Sequence, residues 1–439
     1  MITRIEVDGF KSLRGFVLDL EPFTALVGPN GAGKSNLLDA LGLLSRIACG
    51  DLATAFREGR GRIREQFSRS GAPVPEHGSG TRGTVKLAVE VLLVKGAIDT
   101  AIELDVSLPT TRMRYELTID LQDRASGIER LVVRCERVTA IDQSSDAWVQ
   151  RHPLIQPFAR YGTGSFFSYG HPPSHLTVDD PSAPEQKYDA VVQYVPVMAF
   201  AATRDVQARS PHLRAVAEEL RSIRLAHLEP RLLREPSERG APALTAEGAN
   251  LPTALASLEP AAAAQVRADL VSLVPGVRTF EVVPDDDMLH VEIEMADGQR
   301  FSARELSDGT LRVLGLVTLL RSSPPGTVLA VEEPENGIHP TRIRALVEKL
   351  RSVATGGTDG APLQPQVIAT SHSPVVLAAL LDHPASIAFF DLVRHGTGLR
   401  HTRARAVATV GPPDRERRVS LGEIHRILDV ARSAEHEPR

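Results

Sequence analysis

Apolar and polar positions alternate in short runs at the start of the chain, and each change of period marks an element. Thr3–Val7 and Phe16–Leu20 read as strands around a turn at Asp8–Gly9, and a third strand over Thr24–Val27 runs into a glycine-rich loop. A helix is predicted from Gly33 to about Ile47. Residues 56–80 are rich in Arg and Gly without a sustained period, the pattern of a mobile surface segment. From Gly83 to about Thr139, β-rich runs such as TVKLAVEVLLV, TAIELDVSL, RYELTIDL and RLVVRCERV are separated by turn residues and predict an antiparallel lobe of hairpins over 82–140. Residues 141–190 mix Pro, Ser, Gly and aromatic residues and are expected to be an irregular insertion, one that could order on a partner. After an expected strand, VVQYVPVMAF, the stretches HLRAVAEELRSIRLAHL and LPTALASLEPAAAAQVRADLVSLV predict a helical lobe over about 205–275. The hairpin TFEVVPDDDMLHVEIEMADGQRFS then leads back to a core made of residues 1–50 and 300–395, and residues 396–439 are expected to carry a last strand and a charged tail. No heptad repeat persists, so no long coiled-coil arm is expected.

Composition narrows the class. The 439 residues are enough for about three structural units, and 42% hydrophobic with 24% charged residues is the balance of a globular chain. No apolar run approaches the roughly 18 residues that span a bilayer, and the first residues lack the apolar stretch of a signal peptide, so a cytoplasmic protein without membrane contact is expected. Two cysteines, Cys49 and Cys135, can build neither a disulfide framework nor a four-ligand zinc site. A formal charge of −5 gives no general attraction to nucleic acid. Only a local patch would supply one, and Arg57, Arg60, Arg62, Arg64 and Arg69 are candidates for sequence-independent contact with phosphates, against the alternative of a solvated loop.

Four motifs carry chemistry. GPNGAGKS, from Gly28 to Ser35, satisfies the G-x-x-x-x-G-K-[ST] pattern between a β-branched strand and an apolar helix. There the glycines Gly28, Gly31 and Gly33 let backbone N–H groups turn inward around a phosphate, Lys34 reaches the β- and γ-phosphates, and Ser35 ligates magnesium. Pro29, Asn30 and Ala32 within the loop and Asn36 just after it are counted with the nucleotide-binding residues. In VLAVEEPENGIHP an apolar strand ends in Glu332 and Glu333; the first suits a magnesium shell and the second could polarise an attacking water, unless the pair is merely a solvated strand end. ELSDGTLRVLGLVTLL places Ser307 as the N-cap of a deeply apolar helix, either an anion site or an ordinary capped core helix. In QVIATSHSPVVLAAL a strand gives way to a helix at His372, a position that is as readily structural as functional.

In this order, and with the opening I-x-V-x-G-F-K-S-L, the forms LSDGT, EEPENGIHP and TSHSP, the chain resembles the RecF/SMC-like ATPases. This is the short AAA-type branch related to overcoming-lysogenization-defect proteins, within the ABC-type ATPase heads. The resemblance covers roughly residues 1–395, apart from 141–190. It implies an α/β fold, a P-loop NTPase head of ABC type with an inserted antiparallel β-lobe and a helical lobe. It also implies ATP and Mg2+ as cofactors. Lys34 and Ser35 would bind phosphate and metal, Glu332 would complete the metal site, Glu333 would be the catalytic carboxylate and His372 the switch histidine. Ser307, Asp308 and Gly309 would form a signature motif acting on ATP held by a second copy, with Asn336–His339 at the interface, so that ATP glues a homodimer together. Asp308 departs from the glycine of transporter signatures, which counts against a transporter subunit. Gln66 and Gln193 are candidates for the glutamine loop and Phe10 for the adenine-stacking aromatic.

The function implied is an ATP-hydrolysing switch that controls a nucleic-acid or effector partner, such as a nuclease or toxin, in DNA repair or anti-phage defence. The alternatives are the ATP-binding subunit of a transporter or of a nuclease complex. Self-contained DNA cleavage and a non-hydrolysing scaffold are disfavoured, the first because no clustered acidic triad follows His372 and the second because Glu333 is present.

Overall fold

The computed structural model describes residues 1–68, 81–93, 108–123, 129–170, 175–178, 186–188, 196–200, 210–356, 364–394, 400–408, 418–420, 422–424 and 426. Its centre is a seven-stranded sheet in the spatial order Ile223–Ala226, Val328–Val331, Gln366–Ser371, Phe23–Val27, Ile387–Arg394, Arg400–Ala408 and Arg418–Ser420. The first five strands are parallel, and the sixth turns back antiparallel on the fifth. The central strand therefore pairs with one more than three hundred residues away, Val27 lying opposite Ser371.

Both faces of this sheet are covered, which explains why its strands read as unbroken apolar runs. Along each strand successive side chains enter different cores. Leu26, Val328, Ala330 and Ile368 pack with the helix Lys34–Cys49. Phe23, Ala25, Val27, Leu329, Val331 and Val367 pack with the helices Asp308–Ser322 and Pro340–Thr355 on the opposite side. The helix Asp308–Ser322 is buried almost throughout, from Leu311 to Leu320.

A second sheet of eight antiparallel strands lies over the helix Lys34–Cys49. It begins with the hairpin Ile2–Asp8 and Phe16–Asp19, and continues through Thr81–Leu92, Arg112–Asp123 and Glu129–Ala140. The expected β-lobe is thus continuous with the first two strands of the chain. The irregular insertion expected over 141–190 instead extends this sheet with Ser165–Gly170, His175–Val178 and Gln186–Tyr188.

Three other expectations change. Residues 191–195 of the expected strand VVQYVPVMAF lie outside the described residues, and Val197–Phe200 is one helical turn. In the first half of the expected helical lobe the helix is only Pro211–Arg221, while Ile223–Ala226 forms the edge strand of the central sheet, its β-branched start favouring the pairing with Val328–Val331. The second half breaks into Leu251–Ala256 and Pro260–Leu273, because Pro260 starts a new helix at its first position. Within 396–439, where a last strand was expected, Arg400–Ala408 is an integral member of the central sheet. Among the described residues no helix is long and apolar enough to cross a membrane.

Candidate functional site

Polar groups collect where the parallel strands end, the place at which open α/β sheets form a crevice. Strand Phe23–Val27 feeds the loop Gly28–Gly33, where Gly31 and Gly33 have φ of 74° and 95°, left-handed values open to glycine. A Cβ on Gly33 would stand 1.9 Å from Thr402 Oγ1 and 2.9 Å from Ser12 Oγ, so the loop is also pressed against its neighbours. Gly28 is as tightly constrained, since a Cβ there would lie 2.3 Å from the Phe390 carbonyl oxygen. Asn30 and Gly31 form the exposed tip, whereas Ala32, Gly33 and Lys34 are buried.

The helix Lys34–Cys49 starts at Gly33 without a side-chain cap, which leaves its first N–H groups directed at the loop. Lys34 Nζ donates to the carbonyls of Gly28 (2.7 Å) and Pro29 (3.0 Å). Burial pushes its ammonium below the ordinary lysine value, opposed by the charges of Glu333 and Glu335. Asn36 donates to Ser12 Oγ at 2.7 Å, and Ser12 also bonds Thr402 Oγ1 at 2.6 Å, which ties the loop to the turn between the first two strands and to the late hairpin.

At the end of Val328–Val331 the two carboxylates take different surroundings. Glu332 is one-tenth exposed. Its Oε2 accepts from the Arg60 guanidinium at 2.8 Å and faces His227 Nδ1 at 2.9 Å, while its Oε1 is buried without a hydrogen-bond partner. Burial disfavours the charged form, but Arg60, the adjacent Ser35 hydroxyl and His227 together outweigh it, and the carboxyl sits below its usual range. Glu333 turns the other way. Its φ of 44° is a left-handed conformation that a non-glycine residue adopts at a cost of about 1–3 kcal/mol. Three contacts hold it there: its amide donates to Thr370 Oγ1 (3.1 Å), Asn336 Nδ2 donates to Oε2 (2.6 Å), and His372 Nδ1 meets Oε1 (2.9 Å). The strand-end histidine and the second carboxylate are therefore joined directly.

Sequence reasoning missed four members of this cluster. Arg60, a candidate for a phosphate-tracking patch, lies instead on Glu332, with Asp39 3.4 Å from its Nε. Asp39 also takes Lys11 Nζ at 2.6 Å. His227 follows the edge strand Ile223–Ala226 and bridges Glu332 to Glu229. Glu335 is buried, with Oε1 held by the Ser371 hydroxyl and Oε2 unpartnered, and burial raises its carboxyl above the ordinary value. A PENG string after a strand signals Glu335; nothing local signals the other three.

Other expectations are corrected. Phe10 is fully buried between the opening strands and Phe67, so it cannot stack on a base. Gln66 is buried as well, and its amide donates to the Phe56 carbonyl (2.7 Å), bracing the turn that carries Arg60 rather than facing the carboxylates. Gln193 and Arg69 lie outside the described residues. Within the arginine patch, Arg64 pairs with Glu129 at 2.5 Å and Arg57 bonds the Ala53 carbonyl of its own helix at 3.1 Å, while Arg57, Arg60, Arg62 and Arg64 are all exposed.

The signature segment sits apart on the protein surface. Ser307 is exposed and caps its helix, its Oγ accepting from the Thr310 amide at 3.2 Å. Asp308 is answered by Arg234 at 2.5 Å, which offsets the charge that a carboxylate places at a helix start. Gly309 packs so closely on the Asn336–His339 turn that a Cβ would stand 2.0 Å from the Gly337 carbonyl oxygen. His339 caps the next helix through Thr341.

A family model described as "AAA domain, putative AbiEii toxin, Type IV TA system" matches residues 23–378. Structural maintenance of chromosomes protein 1 of Schizosaccharomyces pombe is 37% identical over 95 residues, 20% of this chain and 8% of that protein. The OLD nuclease of Thermus scotoductus is 48% identical over 44 residues, 10% of this chain and 8% of that protein. The chain thus spans less than a tenth of the length of either relative. A solved Smc head bound to the C-winged helix domain of ScpA is similar at a TM-score of 0.48 with 15% identity, covering 92% of this chain and 97% of that one. With the P-loop at the end of the central strand and the family match running through most of its length, the chain belongs to the AAA-domain family.

Proposed function

We propose that the protein binds ATP with magnesium, hydrolyses it, and uses the nucleotide to close two copies on one another. The observation that carries this reading is the pairing of an occupied and an unpartnered carboxylate at one strand end: Glu333 fixed by Asn336 and His372, and Glu332 presenting a buried, unbonded Oε1 beside Ser35. A hydroxyl and a single carboxylate form the donor set of a magnesium ion that takes its remaining ligands from phosphates and water. Among the described residues no group of three or more His, Cys, Asp or Glu side chains forms a metal cage.

Ser35 and Glu332 would hold the metal, which when bound supplies charge neutralisation on the phosphate oxygens. The residues Gly28–Gly33 wrap the phosphates, and the Lys34 ammonium exchanges loop carbonyls for phosphate oxygens. Glu333 orients a water and takes its proton on a carboxylate oxygen, with His372 holding that carboxylate in place. The exposed start of the helix Asp308–Ser322, with Ser307 and Gly309, is offered to a nucleotide on the second copy. Asp308 engages Arg234 in its own chain, and the turn Asn336–His339 lies on the same surface. The partner controlled by this motion is a nuclease, toxin or nucleic acid in a defence or repair setting. Support for that class is the toxin named in the family description and the OLD nuclease among the relatives.

Glu333→Gln tests the reading. We expect multiple-turnover phosphate release to fall at least about a hundredfold, as for loss of a general base, while ATP is retained and dimer accumulates in size-exclusion chromatography. Undiminished release overturns the assignment. Ser307→Arg should abolish turnover and spare nucleotide binding; normal turnover refutes a site shared between copies.

A further inference from the structure

Resting on the metal site just described, we infer that Arg60 and His227 are positioning residues that clamp one oxygen of Glu332 so that the other is reserved for the metal. The two side chains approach from different parts of the chain. Arg60 sits on the turn between the short helices Leu52–Arg57 and Ile63–Gln66, and His227 follows the edge strand of the central sheet. Both reach the same atom, Glu332 Oε2, at 2.8 and 2.9 Å. Neither reaches Oε1, which is buried and unpartnered in a side chain nine-tenths enclosed.

A carboxylate on a free side chain can rotate and present either oxygen. Two contacts on Oε2, a hydrogen bond from Arg60 and the close approach of His227 Nδ1, restrict that freedom, and such outer partners of a ligating group typically change metal affinity 10- to 100-fold. Each side chain is itself anchored. The Arg60 Nε stands 3.4 Å from Asp39 Oδ1, so one guanidinium spans two carboxylates, and His227 Nε2 lies 2.8 Å from Glu229 Oε1. Asp39 belongs to the same helix as Lys34 and Ser35, so the clamp is built onto the element that carries the phosphate loop. Gln66 fixes the Arg60 turn from below by donating to the carbonyls of Phe56 (2.7 Å) and Gly61 (3.3 Å).

The clamp places a positive charge near a cation site. Arg60 remains compatible with a metal because it bonds the distal oxygen and shares its charge with Asp39, which leaves Oε1 as the free acceptor. Lysine cannot replace it, since a single ammonium does not span Asp39 and Glu332 as the planar fork does.

The test is Mn2+ binding, followed by electron paramagnetic resonance, to the whole chain with a non-hydrolysable ATP analogue. Arg60→Ala and Arg60→Lys should each raise the Mn2+ dissociation constant about tenfold. His227→Ala should raise it less, and His227→Asn, whose amide nitrogen falls near the Nδ1 position, should restore it. Affinity for the analogue in the absence of metal should not move. Both side chains are about half exposed, so thermal unfolding should stay close to wild type. Unchanged or tighter Mn2+ binding in Arg60→Ala, with the wild-type chain binding Mn2+ normally, overturns the clamp alone. A wild-type chain that takes up analogue without Mn2+ overturns the metal site and the clamp together.

Discussion

On the open face of the antiparallel sheet, Arg4, Glu6, Glu90 and Arg114 stand on three neighbouring strands, and each carboxylate there meets a guanidinium. Arg114 donates to Glu6 at 2.7 Å, to Glu90 at 3.2 Å and to Glu116 at 2.9 Å, and Arg4 donates to Glu6 and Asp19 at 2.8 Å. At the carboxyl edge of the parallel sheet the same residue types meet, yet Glu332 and Glu335 each keep a buried oxygen without a partner. The ladder is closed on itself and contributes to folding. The strand-end cluster is left open, and an unmatched buried acceptor costs about 1–3 kcal/mol unless something else satisfies it. The contrast separates a closed charge network from a strand-end cluster that keeps spare acceptors.

Experiments that break or sharpen this contrast can be ranked. The largest effect is expected in the core that both sheets share. Phe10→Ala should cost about 3–5 kcal/mol in denaturant unfolding, because Phe10 is fully enclosed, while the nucleotide affinity of the folded fraction stays at the wild-type value. A selective loss of adenine recognition with full stability would return Phe10 to the nucleotide site. Next, Glu332→Gln should lower metal-dependent turnover about a hundredfold with little change in unfolding temperature, since it alters the open cluster and leaves the ladder intact. Gly309→Ala should come third. Its Cβ meets the backbone of Gly337, and overpacking of about 1–3 kcal/mol should appear in thermal unfolding together with slowed turnover.

The smallest effect tests the ladder itself. Hydrogen bonding to Arg114 holds the Glu6 carboxyl at about 2, against burial, from an ordinary value of 4.5. A depressed folded value means that its stabilisation is complete above pH 4.5 and fades as the pH falls toward 2. Glu6→Gln should therefore flatten the stability curve in that acid window by on the order of 1–2 kcal/mol, given partial solvent screening, and leave turnover unchanged at neutral pH. An equally steep acid loss in the variant would show that the ladder is not what fails in acid.

Much of the site could be read from the chain because its parts are short and local. Gly31 and Gly33 must accept left-handed φ, Lys34 and Ser35 follow on one helix, and Glu332 and Glu333 end one strand, so their identity and spacing carry the chemistry by themselves. The hairpins Thr81–Leu92 to Glu129–Ala140 were legible for the same reason, since period-two alternation fixes which face each residue takes. The strand Ile223–Ala226 was not, because four residues after an amphipathic helix carry no period of their own and only pairing with Val328–Val331 makes them a strand.

The sequence by itself determined the phosphate loop, the strand-end carboxylates and histidine, and the capped apolar helix, since each depends on bonds within a few residues. Tertiary structure alone decided that Arg60 and His227 converge on Glu332, that Asp39 sits between Lys11 and Arg60, that Phe10 is core and that Gln66 is a brace. Those contacts join elements up to about 270 positions apart, and the order of strands in the parallel sheet, which no local pattern encodes, brings them together.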